Sequence, residues 1–169
     1  MSYLMIAAVV LMVIAPLFWF MPSPEIKRQM VMRDRAMQLG LQVKICDLPQ
    51  TRRARVRKEY IEKGVVYRLH WKKPLQPRDQ FCEIRLKAGD SDNPVSPAVS
   101  ELLTASLSAM PEAVLALEYA TLGVAVYWHE RGGINKVDEI GRRLVQLQEE
   151  ILSVRGKLSE ALEDSHTPS

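Results

Sequence analysis

The chain has 169 residues, 47 % of them hydrophobic and 25 % charged, with a net charge of +3. That share of apolar side chains excludes a disordered polar polymer, and the length suits one core better than two. Cys46 and Cys82 form no close-spaced motif and call for no disulfide framework, although a single bond between them stays open.

The first element is an uncharged stretch from Tyr3 to Met21. At about 1.5 Å per residue it reaches roughly 27–30 Å, the thickness of a bilayer's hydrocarbon core. It therefore predicts a transmembrane anchor over residues 1–22, with Phe18, Trp19 and Phe20 at one interface. A cleaved secretory signal fits less well, because no Lys or Arg precedes the run and no small-residue site follows it. Lys27, Arg28, Arg33 and Arg35 follow the run, so the positive-inside rule predicts a single-pass bacterial inner-membrane protein with a cytoplasmic C-terminal domain.

Ser23-Pro24 opens a juxtamembrane helix over 23–40 that Gly40 stops. Ile26, Met30 and Met37 share one face of it, which suits either headgroups or the chain's own domain. Residues 22–90 carry 17 Lys and Arg against 8 Asp and Glu, whereas residues 91–169 carry 6 against 12. A basic membrane-proximal half suits anionic membrane lipids better than nucleic acid.

Pro22-Ser23-Pro24, Lys27-Arg28 and Leu39-Gly40-Leu41-Gln42-Val43 resemble the juxtamembrane region of uncharacterised single-span inner-membrane proteins of bacteria. The resemblance covers about the first 45 residues and implies topology alone. The layout is also similar to that of the small accessory subunit of the bacterial protein translocase, by architecture and not by motif.

Residues 41–133 predict an α+β domain. Leu41, Val43 and Ile45 alternate with polar neighbours as a half-buried strand. Arg52, Arg53, Arg55, Arg57 and Lys58 then form the densest charge cluster. With Lys27 and Arg28 they make a candidate lipid or partner patch, read against RNA because Tyr60 is the only aromatic nearby. Val65, Tyr67, Leu69 and Trp71 predict a second strand; Cys82, Ile84 and Leu86 predict a third, turned inward, with Glu83, Arg85 and Lys87 outward. A helix follows Ser96-Pro97 to about residue 109, then a hairpin around Thr121-Leu122. Gly132-Gly133 breaks the chain before a helix over 134–163, capped by Asn135, and a disordered tail over 164–169. From Val137 to Ala161 that helix repeats apolar residues three and four apart. Leu144, Leu147, Ile151, Val154 and Leu158 are its candidate interface, for a partner or a homo-oligomer, unless the seam packs on the sheet.

No phosphate loop, metalloprotease helix, C-x-x-C or nucleophile elbow is present in the sequence. His70, His129 and Cys82 lack zinc-ligand spacing, and Glu118 and Glu130 form no acid–base pair. No cofactor, metal or catalytic residue is predicted. The fold class expected is α+β: a transmembrane helix, a small mostly antiparallel sheet of about five strands, two covering helices and a heptad helix. The function expected is a non-enzymatic, membrane-tethered interaction or scaffold protein with an unidentified protein partner. The alternatives are a peripheral regulator binding anionic lipid or RNA, or an accessory subunit of a protein-translocation or other envelope complex.

Overall fold

The computed structural model describes residues 3, 5–6, 23–72, 81–89, 91–92 and 96–164, with 91–92 and 157–164 described by backbone alone. Six strands form its sheet: β1 (Gln42–Asp47), β2 (Lys63–His70), β3 (Cys82–Leu86), β4 (Ser91–Asp92), β5 (Val114–Ala120) and β6 (Gly123–Trp128). They lie in the order β1-β2-β6-β5-β3-β4, and every pairing is antiparallel. Opposite residues of an antiparallel pair share a face. Tyr67 lies opposite Val126 and Leu69 opposite Val124, while Leu117 and Tyr119 of β5 meet the same two β6 residues. One face thus gathers the large apolar side chains.

Three helices cover that face: α1 (Pro24–Gln38), α3 (Pro97–Ala109) and α4 (Ile134–Asp164). The short α2 (Arg52–Val56) follows β1. Met32 and Ala36 of α1, Leu103 and Leu107 of α3, and Ile140, Leu144 and Leu147 of α4 join the sheet residues in one core. α4 lies over β6 with α1 on one flank and α3 on the other; α1 sits over β1, and α3 over β5 and β3.

Local chemistry explains the element ends. Ser23 Oγ accepts from Ile26 N at 3.4 Å, and Gly40 leaves α1 through a positive φ of 78°. Thr51 Oγ1 caps α2 by accepting from Ala54 N at 3.2 Å. In the β5–β6 hairpin a Cβ on Gly123 would stand 2.1 Å from the Leu69 carbonyl oxygen, so β6 can begin against β2 only with glycine there.

Several expectations are corrected. Among the described residues no helix is long and apolar enough to cross a membrane, which overturns the transmembrane helix and the single-pass inner-membrane localisation. The stretch that motivated them, 1–22, lies outside the described residues apart from Tyr3, Met5 and Ile6; of the tail expected over 164–169, Asp164 ends α4 and the rest lies outside the described residues. β3 presents the faces opposite to those expected. Glu83 lies opposite Tyr119 and Arg85 opposite Leu117 on the helix-covered side, and Cys82 and Ile84 turn to the other. Two charges are held there because Arg85 stands 3.6 Å from Glu83 and donates to Ser100 Oγ on α3. Asn135 lies inside α4, whose first turn is closed instead by Lys136 N donating to Gly133 O.

Candidate protein-docking flank

β1 is an edge strand, and its hydrogen-bond parity can be read from the ladder's continuations. Leu48 N donates to Glu62 O at 2.9 Å, in register with the β1–β2 pairing. The even-numbered β1 residues therefore exchange bonds with β2, and Val43, Ile45 and Asp47 direct their N–H and C=O groups outward. The other side of β2 agrees. Trp71 N donates to Leu122 O at 3.2 Å, so odd-numbered β2 residues serve β6 and even-numbered ones serve β1. Among the described residues no strand pairs with the outer side of β1. Ile45, at the centre of this edge, is 60 % exposed.

α1 stands above the edge and is apolar on two sides. Met32 and Ala36 point into the core. Arg35 Nε donates to Asp138 Oδ1 at 2.7 Å and Leu39 packs at Gly141, so the side bearing 35 and 39 faces α4. At 100° per residue, Ile26, Met30 and Met37 fall on the flank turned away from α4, over the β1 edge. They are 45 %, 57 % and 56 % exposed. The helix stripe and Ile45 make one lateral apolar flank beside a row of outward backbone groups.

An ion pair between the partly exposed Arg33 and the buried Glu130 holds α1 in this position. Arg33 Nε lies 2.9 and 3.0 Å from the two Glu130 carboxylate oxygens, and its Nη2 donates to Oε2 at 2.5 Å. Tyr67 Oη donates to Glu130 Oε1 at 2.9 Å. Glu130 is buried and adopts a positive φ of 52° in the β6–α4 connection. The hydrogen bond to Glu130 raises the Arg33 pKa, and burial, then the Glu130 charge, raises that of Tyr67. Arg33 and Gln29 also line a small recess of about 190 Å³ with Ile45, Lys63 and His129.

The face opposite the helices carries a second trio of the same composition. Arg68 Nη2 donates to Glu118 Oε1 at 2.5 Å and Tyr127 Oη donates to Glu118 Oε2. Arg68 and Glu118 belong to β2 and β5, and the residue between them on β6 is Ala125, small enough to be bridged. Burial, then the hydrogen bond to Glu118, raises the Tyr127 pKa. Glu118 and Glu130 thus each have their own Arg and Tyr partners and do not meet.

The candidate residues fall as follows. Lys27 and Arg28 on α1 and Arg52, Arg53, Arg55, Arg57 and Lys58 around α2 are all exposed, and Arg57 approaches Glu59 at 3.8 Å. Topology gathers them at one end of the sheet, where α1 enters and β1 leads into α2. Leu144, Leu147 and Ile151 are buried in the core and Val154 is half-buried; the Leu158 side chain lies outside the described residues. The seam thus faces the chain's own sheet and helices. His70 pairs with Gly123 at one end of β6 and His129 follows Trp128 at the other, so these two and Cys82 do not converge. His129 Nε2 instead approaches Glu62 at 3.2 Å. Among the described residues no group of His, Cys, Asp and Glu is placed to hold a metal. Cys46 and Cys82 are free thiols on strands separated by β2, β6 and β5, roughly 19 Å at the usual strand spacing. Burial is the main cause that raises the pKa of each.

The sequence did not predict that Arg33, Glu130 and Tyr67 meet, nor that Ile45 is exposed. One signal was available: by helical spacing Met32 and Ala36 cannot share a face with Ile26, Met30 and Met37, so α1 carries two apolar sides.

Comparison of the chain with protein-family models, with curated proteins and with solved structures finds no match. The flank is therefore read from its own geometry: an α+β domain with helices on one sheet face and an apolar, hydrogen-bonding edge beside α1.

Proposed function

We propose that the chain is a non-enzymatic interaction module that docks a protein partner along the β1–α1 flank. The observation that carries this reading is the outward row of backbone groups at Val43, Ile45 and Asp47, with Ile45 exposed at its centre. An edge strand of this kind is a template for strand addition, in which main-chain bonds give affinity and flanking apolar side chains give selectivity. A solitary Lys44 is the only cation on the strand to oppose such pairing.

The test is Ile45→Pro. The ring removes an outward N–H and leaves the even-numbered bonds to β2 in place, as proline on an edge strand is tolerated. The full chain and the variant are compared for protein partners retained through purification, with circular dichroism to establish the fold. The expected result is a partner that the folded variant loses. An identical set of partners from both chains would contradict the proposal.

A further inference from the structure

We infer that the basic end of the sheet docks on an anionic lipid surface, with Val56 and Tyr60 seated among the headgroups and Arg53, Arg57 and Lys58 on their phosphates. The surface is built on α2 and the loop to β2, and contact there needs no membrane-spanning helix. From residue 52 to residue 58 the chain holds five cations and no carboxylate, and all five cations are exposed.

The local geometry places apolar side chains among those charges. Ala54 is the residue of α2 turned to the domain, half-buried where its helix neighbours are exposed. At about 100° per residue Val56 points away from Ala54, between Arg52 and Arg53. Val56 is 77 % exposed and Tyr60 84 %, with Ile61 exposed beside them. Gln50 Nε2 donates to the carbonyls of Glu59 and Tyr60 at 3.1 and 3.2 Å, and Glu59 N donates to Ala54 O at 3.1 Å. These side chains are therefore carried on a fixed turn. Lys58 makes that turn at a φ of 52°, where glycine is the ordinary choice after a helix. A lysine there keeps a cation at the tip against the backbone's preference.

Charge and apolar exposure together select the occupant. Anionic headgroups attract Lys and Arg, and the interfacial layer beneath them takes aliphatic and Tyr side chains. A nucleic-acid backbone rewards the cations but has no place for aliphatic side chains at 56 and 61. The loop's two carboxylates are turned to partners within the domain, Glu59 toward Arg57 at 3.8 Å and Glu62 toward His129 at 3.2 Å. Lys27 and Arg28 extend the positive field: Gln29, the next residue, lines a recess with Lys63, which sets that turn of α1 beside the start of β2.

Flotation of the full chain with vesicles tests this, using about one part phosphatidylglycerol to two of phosphatidylcholine against phosphatidylcholine alone. The stretch Tyr3–Met21 is uncharged and does not sense the difference, so the ratio of the two partition coefficients is the reading. The native chain is expected to prefer the anionic vesicles, and Arg53→Gln and Arg57→Gln should each lower the ratio about fivefold. Raising the salt from about 0.05 to 0.5 M should bring the ratio toward one. Lys58→Gly relieves the positive φ, so its melting temperature should hold or rise while the ratio still falls about fivefold. Val56→Cys, labelled with nitrobenzoxadiazole in a Cys46→Ser, Cys82→Ser background, should brighten and shift to the blue on the anionic vesicles. A ratio near one for the native chain, a ratio that the folded variants leave unchanged, or a fluorophore that keeps its aqueous emission on the anionic vesicles overturns the inference. A chain that passes over the vesicles and binds poly(U) through the same cations assigns the surface to nucleic acid and overturns it equally.

Discussion

Glu130 is the residue on which the position of α1 turns, because its carboxylate receives both Arg33 and Tyr67 while buried. Removing the guanidinium leaves that charge with the phenol alone, and a broken buried pair costs about 3–5 kcal/mol. Arg33 is partly exposed, so Arg33→Ala is expected near the lower end, about 3 kcal/mol in urea unfolding. Arg33→Met combined with Glu130→Leu should recover part of that loss, since no lone charge remains. The phenols give a pH signature. Tyr67 and Tyr127 have folded pKa values raised above 10.0, so their stabilising contribution is complete below pH 10 and declines as pH rises beyond it. Unfolding free energy should fall above pH 10 by up to about 1.4 kcal/mol per pH unit for each phenol, and Tyr67→Phe should remove one share of that slope.

At the scale of elements, α4 uses its heptad repeat internally. Leu147 is 1 % exposed, so Leu147→Asp is expected to cost about 4–5 kcal/mol and unfold the domain, visible as lost helical ellipticity. Leu152→Asp, on the open side of the same helix, should change stability by less than about 0.5 kcal/mol. The helices were legible because their signals are local: Ser23-Pro24 and Gly40 bound α1, and Ser96-Pro97 opens α3. The hairpin at Thr121-Leu122 was legible for the same reason. β3 was not, because alternation fixes two faces without saying which is buried, and the Glu83–Arg85–Ser100 contacts depend on α3. Ile45 was read as inward for a related reason. Its exposure follows from β1 being the sheet's edge, which only long-range pairing decides.

Among the described residues, the whole is a sheet with three helices on one face, bounded by β1 on one side and the two-residue β4 on the other. α4 is braced from both ends: Arg35 holds Asp138 near its start, and Gln148 Nε2 donates to His70 O while Arg155 donates to Tyr119 Oη further along. α1 itself is held by Arg35 on Asp138 and by Arg33 on Glu130, so the proposed docking would call for no movement of that helix. The most direct measurement is residue-resolved amide hydrogen exchange on the full chain, alone and in complex with a protein partner retained through its purification. The bonds to β2 should protect Lys44 and Cys46 in either state. The docking account predicts that Val43, Ile45 and Asp47 exchange rapidly in the chain alone and gain protection in the complex. Rapid exchange at those residues in the complex, with Lys44 and Cys46 still protected, would contradict it.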